Sequence, residues 1–89
     1  MKKVIFSNKF EKEYIKVARR GKDLKKLQSL VDLLANSQAI PAKYRDHKLK
    51  GEFEDSRELH IEPDWLLIYQ TNETEVILER TGTHSDLFG

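Results

Sequence analysis

Three histidines, one aspartate and one arginine stand out in this chain of 89 residues: His47, His60, His84, Asp64 and Arg80. Each histidine lies beside turn-forming residues rather than within an apolar helical stretch. Imidazole is the side chain best suited to take up and release a proton near neutral pH. Two acid–base groups and a fixed cation are what cleavage of RNA by its own 2′-hydroxyl needs. One group deprotonates the hydroxyl, one protonates the departing oxygen, and the cation stabilises the charged phosphorane. Arg80, at the end of an apolar run, suits phosphate through its planar fork. Plainer roles stay open: a loop histidine is commonly inert, Asp64 can simply occupy a turn, and Arg80 can pair across a sheet.

Other chemistries fit less well. There is no cysteine, so neither a disulfide framework nor a thiolate metal site is possible. His60 and Asp64 flank a turn instead of sharing a helix face, and no HxxxH spacing is present, so no metal and no cofactor are expected. Neither a glycine-rich phosphate loop nor a G-x-S-x-G elbow occurs. No apolar run approaches the roughly 18 residues of a membrane span, and Met1-Lys2-Lys3 leads directly into a β-rich segment. We therefore expect no signal peptide, no membrane partner and a cytoplasmic protein.

The elements that must position these side chains follow from hydrophobic periodicity. The organising stretch is RELHIEPDWLLIY, Arg57 to Tyr69. Leu59 and Ile61 alternate with polar residues, Glu62-Pro63-Asp64 breaks the chain, and Trp65 to Tyr69 is almost wholly apolar. That pattern predicts a hairpin whose second strand is buried on both faces, inside a sheet. Glu75 to Arg80 adds a third strand after a polar turn at 71–74. Upstream, Lys3 to Phe6 reads as a strand. Ser7 caps a helix carrying Phe10, Tyr14 and Val17, which Gly21 ends. Asp23 caps a second helix with Leu24, Leu27, Leu30, Val31 and Leu34 on one stripe. Residues 38–51 read as irregular, residues 52–56 as an acidic loop or extended lead-in, and a single helical turn is expected from Ser85. Phe53, Trp65 and Tyr69 read as core, whereas Phe88 could stack on a base or dock the tail. One α+β domain over residues 1–89 results, with β-α-α-β-β-β order. A curled, mainly antiparallel sheet carries a helical hairpin on one face and leaves the other as working surface or partner contact.

Charge is divided along the chain. Up to Lys50 there are 14 Lys or Arg against 5 acids; beyond it, 2 basic residues face 10 acids. The halves carry about +9 and −8, and the basic half suggests a polyanionic partner, although solvated basic helices would look the same.

Three blocks, YRDHKLKG (44–51), RELHIEPDWLLIY and RTGTHSDLF (80–88), resemble the YafQ branch of the RelE/ParE toxin superfamily. The resemblance implies a RelE-like fold and the toxin of a type II toxin–antitoxin pair. The implied activity is that of a ribosome-dependent endoribonuclease, an mRNA interferase that cuts A-site mRNA without metal and so inhibits translation. It implies catalytic roles for His47, His60, Asp64 and His84, with His84 as proton donor to the leaving oxygen and His60 or His47 as base. Arg80 and Phe88, with Lys48 and Lys50, would contact the RNA. The implied partners are a DinJ-like antitoxin and the ribosome. The alternative within the superfamily is a non-catalytic, ParE-like toxin that inhibits gyrase by binding, a role that does not require the histidines.

Overall fold

The computed structural model describes residues 1–51 and 55–89. Its elements run β1 (Lys3–Phe6), α1 (Asn8–Arg19), α2 (Leu24–Ala35), a 3-10 turn (Ala42–Tyr44), β2 (His47–Lys48), β3 (Arg57–Glu62), β4 (Trp65–Thr71), β5 (Glu75–Gly82) and α3 (His84–Phe88). The five strands form one sheet in the order β1-β5-β4-β3-β2. Only β1 and β5 pair in parallel; every other neighbour is antiparallel.

Local chemistry accounts for the helical hairpin. The Ser7 hydroxyl accepts from Phe10 N–H and donates to the Glu79 carbonyl, so the same cap starts α1 and staples it to β5. Gly21, at φ +82°, turns the chain out of α1, and Asp23 caps α2 by accepting from Lys25 N–H. The buried stripes of the two helices, Phe10 and Val17 with Leu27, Leu30, Val31 and Leu34, cover one face of the sheet. They meet Leu59, Ile61, Trp65, Leu67, Tyr69, Val76 and Leu78 there.

β4 is buried on both faces, as its continuous apolar run requires. Leu66 and Ile68 point away from the helices into a smaller cluster with Leu87 and Leu49. Trp65 Nε1 donates to Thr81 Oγ1, which donates in turn to the Leu66 carbonyl, so the indole N–H is satisfied inside the core. An apolar groove between α1, α2 and β1 stays open, with Phe6 and Ile15 about half exposed along it.

Two differences from the sequence expectation matter for the site. The stretch expected to be irregular contains the 3-10 turn and β2, and β2 joins the sheet edge against β3. The terminal turn starts at His84, one residue earlier than expected, and forms a short capped helix. The expected acidic lead-in at 52–56 and the core role of Phe53 fall on residues 52–54 and so lie largely outside the described residues. Among the described residues, no helix is long and apolar enough to cross a membrane.

Candidate active site

Strand register brings the chemistry to the sheet face opposite the helices. His60 pairs with Leu66, and Glu58 with Ile68, so both side chains share the face of those two leucine and isoleucine neighbours. β2 pairs His47 with Glu58, and β5 pairs Arg80 with Ile68. His47, Glu58, Ile68 and Arg80 therefore form one row across the sheet. His84 reaches the same face from α3.

α3 is fixed at both ends of its first turn. The Thr83 hydroxyl accepts from Asp86 N–H while the Asp86 carboxylate accepts from Thr83 N–H, a reciprocal capping box. Arg20 at the end of α1 donates two hydrogen bonds to Asp86, at 2.6 and 3.2 Å. That guanidinium, with the Thr83 N–H, holds the Asp86 carboxyl well below the usual carboxylate range. Gly82 is required here, because a Cβ would lie 2.9 Å from the Asp86 side chain.

Each imidazole is oriented differently. His84 donates its backbone N–H (2.9 Å) and its Nδ1–H (2.6 Å) to Asp64 Oδ1. A carboxylate only accepts, so the Nδ1 proton is fixed and Nε2 is left to exchange protons. The His84 backbone N–H and then its ring hold Asp64 below its ordinary range. His47 Nδ1 lies 2.7 Å from the Arg45 carbonyl, which also only accepts, so Nε2 of a neutral His47 carries the lone pair. Arg45 makes this contact from a left-handed conformation, φ +53°. Asp46 beside it is pinned by the Tyr69 hydroxyl at 2.6 Å and by Arg57 at 3.2 Å. Burial, and then Asp46, hold the Tyr69 phenol protonated far above its ordinary pKa.

His60 lies between the other two rings, 6.3 Å from His47 and 5.7 Å from His84 by centroid. Burial lowers its pKa; the Arg45 charge and the two neighbouring rings act in the same direction, and Glu58 opposes them. Its Nδ1 is buried without a hydrogen-bond partner among the described residues. An unpaired buried N–H costs more than an unpaired lone pair, so the proton of the neutral ring belongs on Nε2.

Glu58 sits among the imidazoles and was missed by sequence reasoning. It is buried, its Oε1 lies 3.7 Å from His47 Nε2 and 3.8 Å from His60 Nε2, and no donor among the described residues hydrogen-bonds it. Its only signal in the sequence is the two-residue spacing to His60, which puts both on one strand face. Single donor atoms of Glu58, His60 and His84 lie within 4.8 Å of one another, a set able to grip a divalent ion. Spacing along the chain hid this set, because its members come from β3 and α3.

The residues expected to contact RNA are distributed less evenly. The Arg80 guanidinium is engaged by Glu13 of α1 through Nε (2.9 Å) and Nη2 (2.7 Å), leaving Nη1 without a partner among the described residues. Glu13 also accepts from Thr81 N–H, so it anchors the strand as well as the side chain. Lys48 pairs with Arg57 and so alternates to the other side of the sheet from His47. Lys50 lines a shallow surface hollow with Lys48, away from the imidazoles. Phe88 is about half exposed at the end of α3.

Known proteins share this fold. The profile of a family described as the bacterial toxin YafQ of type II toxin–antitoxin systems matches residues 2–89. The mRNA interferase toxin YafQ of Escherichia coli K12 is 42% identical over 85 residues, 94% of this chain and 92% of that one. The crystal structure of the E. coli DinJ–YafQ toxin–antitoxin complex superposes with a TM-score of 0.91 at 40% identity, covering 99% of this chain and 98% of that one. A metal-bound toxin from Helicobacter pylori gives 0.92 at 43% identity, over 99% and 100% of the two chains.

Proposed function

Because the chain belongs to the YafQ family of bacterial type II toxins, we propose that it is an mRNA endoribonuclease that acts on ribosome-bound message and so inhibits translation. The observation that carries this reading is the convergence of three imidazoles on one buried carboxylate, with His84 locked by Asp64. Such a set can move two protons at one phosphodiester. A ParE-like toxin that only binds gyrase would have no use for it.

The hydrogen bonds support the following division of labour. His47 presents an Nε2 lone pair and takes the proton of the 2′-hydroxyl. The alkoxide attacks the adjacent phosphate, the bond to the 5′-oxygen breaks, and His84 delivers its Nε2 proton to that oxygen. A 2′,3′-cyclic phosphate and a 5′-hydroxyl result. His60, kept neutral by burial, donates Nε2–H toward the reacting phosphate instead of serving as base. Glu58 balances the imidazolium that forms at His47. Arg80 offers Nη1 to the phosphorane while Glu13 holds the rest of its fork. Phe88 supports the RNA from α3, and Lys48 and Lys50 add sequence-independent attraction to ribosomal or messenger phosphates.

The step needs no metal. The donor set of Glu58, His60 and His84 would nevertheless accept a divalent ion, and that ion would compete with the protons the reaction moves. Its partner in the cell is an antitoxin similar to DinJ. We assign that contact to the basic helices α1 and α2 and the apolar groove between them and β1, where Phe6 and Ile15 are exposed.

Primer extension on translating ribosomes tests the assignment. His84→Ala is expected to lower cleavage by roughly two to four powers of ten with the fold intact. Toxin stripped with EDTA and freed of the chelator before it meets the ribosomes should cleave at the parental rate. Parental cleavage by the variant removes His84 from the reaction, and replication arrest with intact message points to the gyrase-binding alternative.

A further inference from the structure

The site described so far leaves a second hollow unexplained. A cavity of about 430 Å³ lies between α2, the 3-10 turn and the β3–β4 hairpin, and His60 forms part of its wall. Lys26, Lys43 and Arg45 also line it, together with Tyr44. The acid that lines it, Glu62, is already engaged by Lys22 at 3.0 Å and Lys26 at 2.9 Å. Lys43 and Arg45 have no carboxylate partner among the described residues; Lys43 instead lies over the Tyr44 ring, 5.1 Å from its centroid. Two uncommitted cations thus face a concavity that reaches His60, the strand residue whose ring lies between His47 and His84.

We infer that this hollow is a phosphate subsite for the nucleotide next to the scissile bond, held by Arg45 and Lys43. The inference rests on the endoribonuclease reading and adds a second anchor on the same strand. An RNA strand carries a phosphate at every nucleotide, so a strand whose scissile group lies among His47, His60 and His84 brings its next phosphate past the shared His60 wall. Three cations face the hollow against one acid, and a phosphate matches the fork of Arg45. Arg45 also links the two sites directly. Its left-handed backbone gives its carbonyl to His47 while its side chain lines the hollow, so occupation of the subsite and orientation of the base depend on one residue.

Titration with uncleavable, fully 2′-O-methylated dinucleotides tests this without requiring cleavage. Three probes are compared by amide chemical shifts: one without terminal phosphate, one with a 5′-phosphate and one with a 3′-phosphate. One terminal phosphate should tighten binding by about fivefold, with shifts at residues 43–45 and 60. The gain should vanish in Lys43→Gln/Arg45→Asn, where asparagine still tolerates the left-handed backbone. The salt dependence of binding should also lose about 0.7 in logarithmic slope per contact removed. No gain from either terminal phosphate, or a gain that survives the double substitution, overturns the subsite. Binding of inorganic phosphate in the hollow with no gain for either dinucleotide marks a free-anion site and equally overturns it. Cleavage by His84→Ala would overturn the catalytic assignment and leave these affinities untouched, so the two failures are distinguishable.

Discussion

Replacing Glu58 by Gln isolates the contribution of the buried carboxylate that faces His47 and His60. The substitution keeps the shape and removes the charge. Glu58 Oε1 lies 3.7 Å from His47 Nε2 and 3.8 Å from His60 Nε2. At such distances an ion pair is worth about 4 kcal/mol at an effective dielectric of about 20, and about 1 kcal/mol in bulk water. Glu58 is buried but the His47 side chain is half exposed, so the imidazolium formed there falls between these limits. At tenfold per 1.36 kcal/mol, Glu58→Gln should slow cleavage by about 5-fold at the solvated limit and about 10³-fold at the buried one. Single-turnover cleavage of ribosome-bound message, read against pH, measures the chemical step, and the melting temperature reports the fold. A variant of unchanged melting temperature that cleaves within twofold of the parent at every pH refutes the charge-balancing role.

His60 gives a pH signature of stability. Its folded pKa lies below the ordinary 6.5, so the unfolded chain takes up the proton first as pH falls. Its contribution is therefore complete above about 6.5 and is lost as pH drops through the depressed folded value; in His60→Gln, denaturant midpoints should show a shallower decline in that window. Asp86 acts lower, because its folded pKa is depressed from 3.8, mainly by Arg20. The α3 clamp is present above that value and loosens as pH falls through the folded one, and Asp86→Asn should abolish this acid-dependent change in the signal of the Thr83 amide, which donates to Asp86. Thr81→Val removes the acceptor for the Trp65 indole and the donor to the Leu66 carbonyl, both buried. Leaving such groups unpaired costs about 1–3 kcal/mol, and calorimetry should show a fall of roughly 4–8 °C in Tm per kcal/mol.

The hairpin and its helical cover were legible because each follows a period. Leu59 and Ile61 alternate, Trp65 to Tyr69 do not, and the helical stripes repeat at three and four residues. β2 was not legible, since two residues carry no period and His47–Lys48 becomes a strand only by pairing with Glu58 and Arg57. Glu58 escaped notice for a related reason. An acid between Arg57 and Leu59 reads as an outward polar position, and its burial arises only once neighbouring elements cover that face. That Lys48 faces the other side of the sheet from His47 was equally hidden, since the alternation exists only once the strand does. That Arg80 would be claimed by Glu13 was invisible as well, because those residues are 67 positions apart.

The parallel union of β1 with β5 governs when this protein becomes dangerous. Lys3 to Phe6 find their sheet neighbours only at Glu75 to Leu78, and the Ser7 hydroxyl finds its acceptor only at Glu79. During synthesis the first strand must wait, unzipped, for almost the whole chain to be made, a topology that also slows folding. Asp64 likewise waits for His84. A nuclease assembled in this order completes its site only after β5 and α3 have been made.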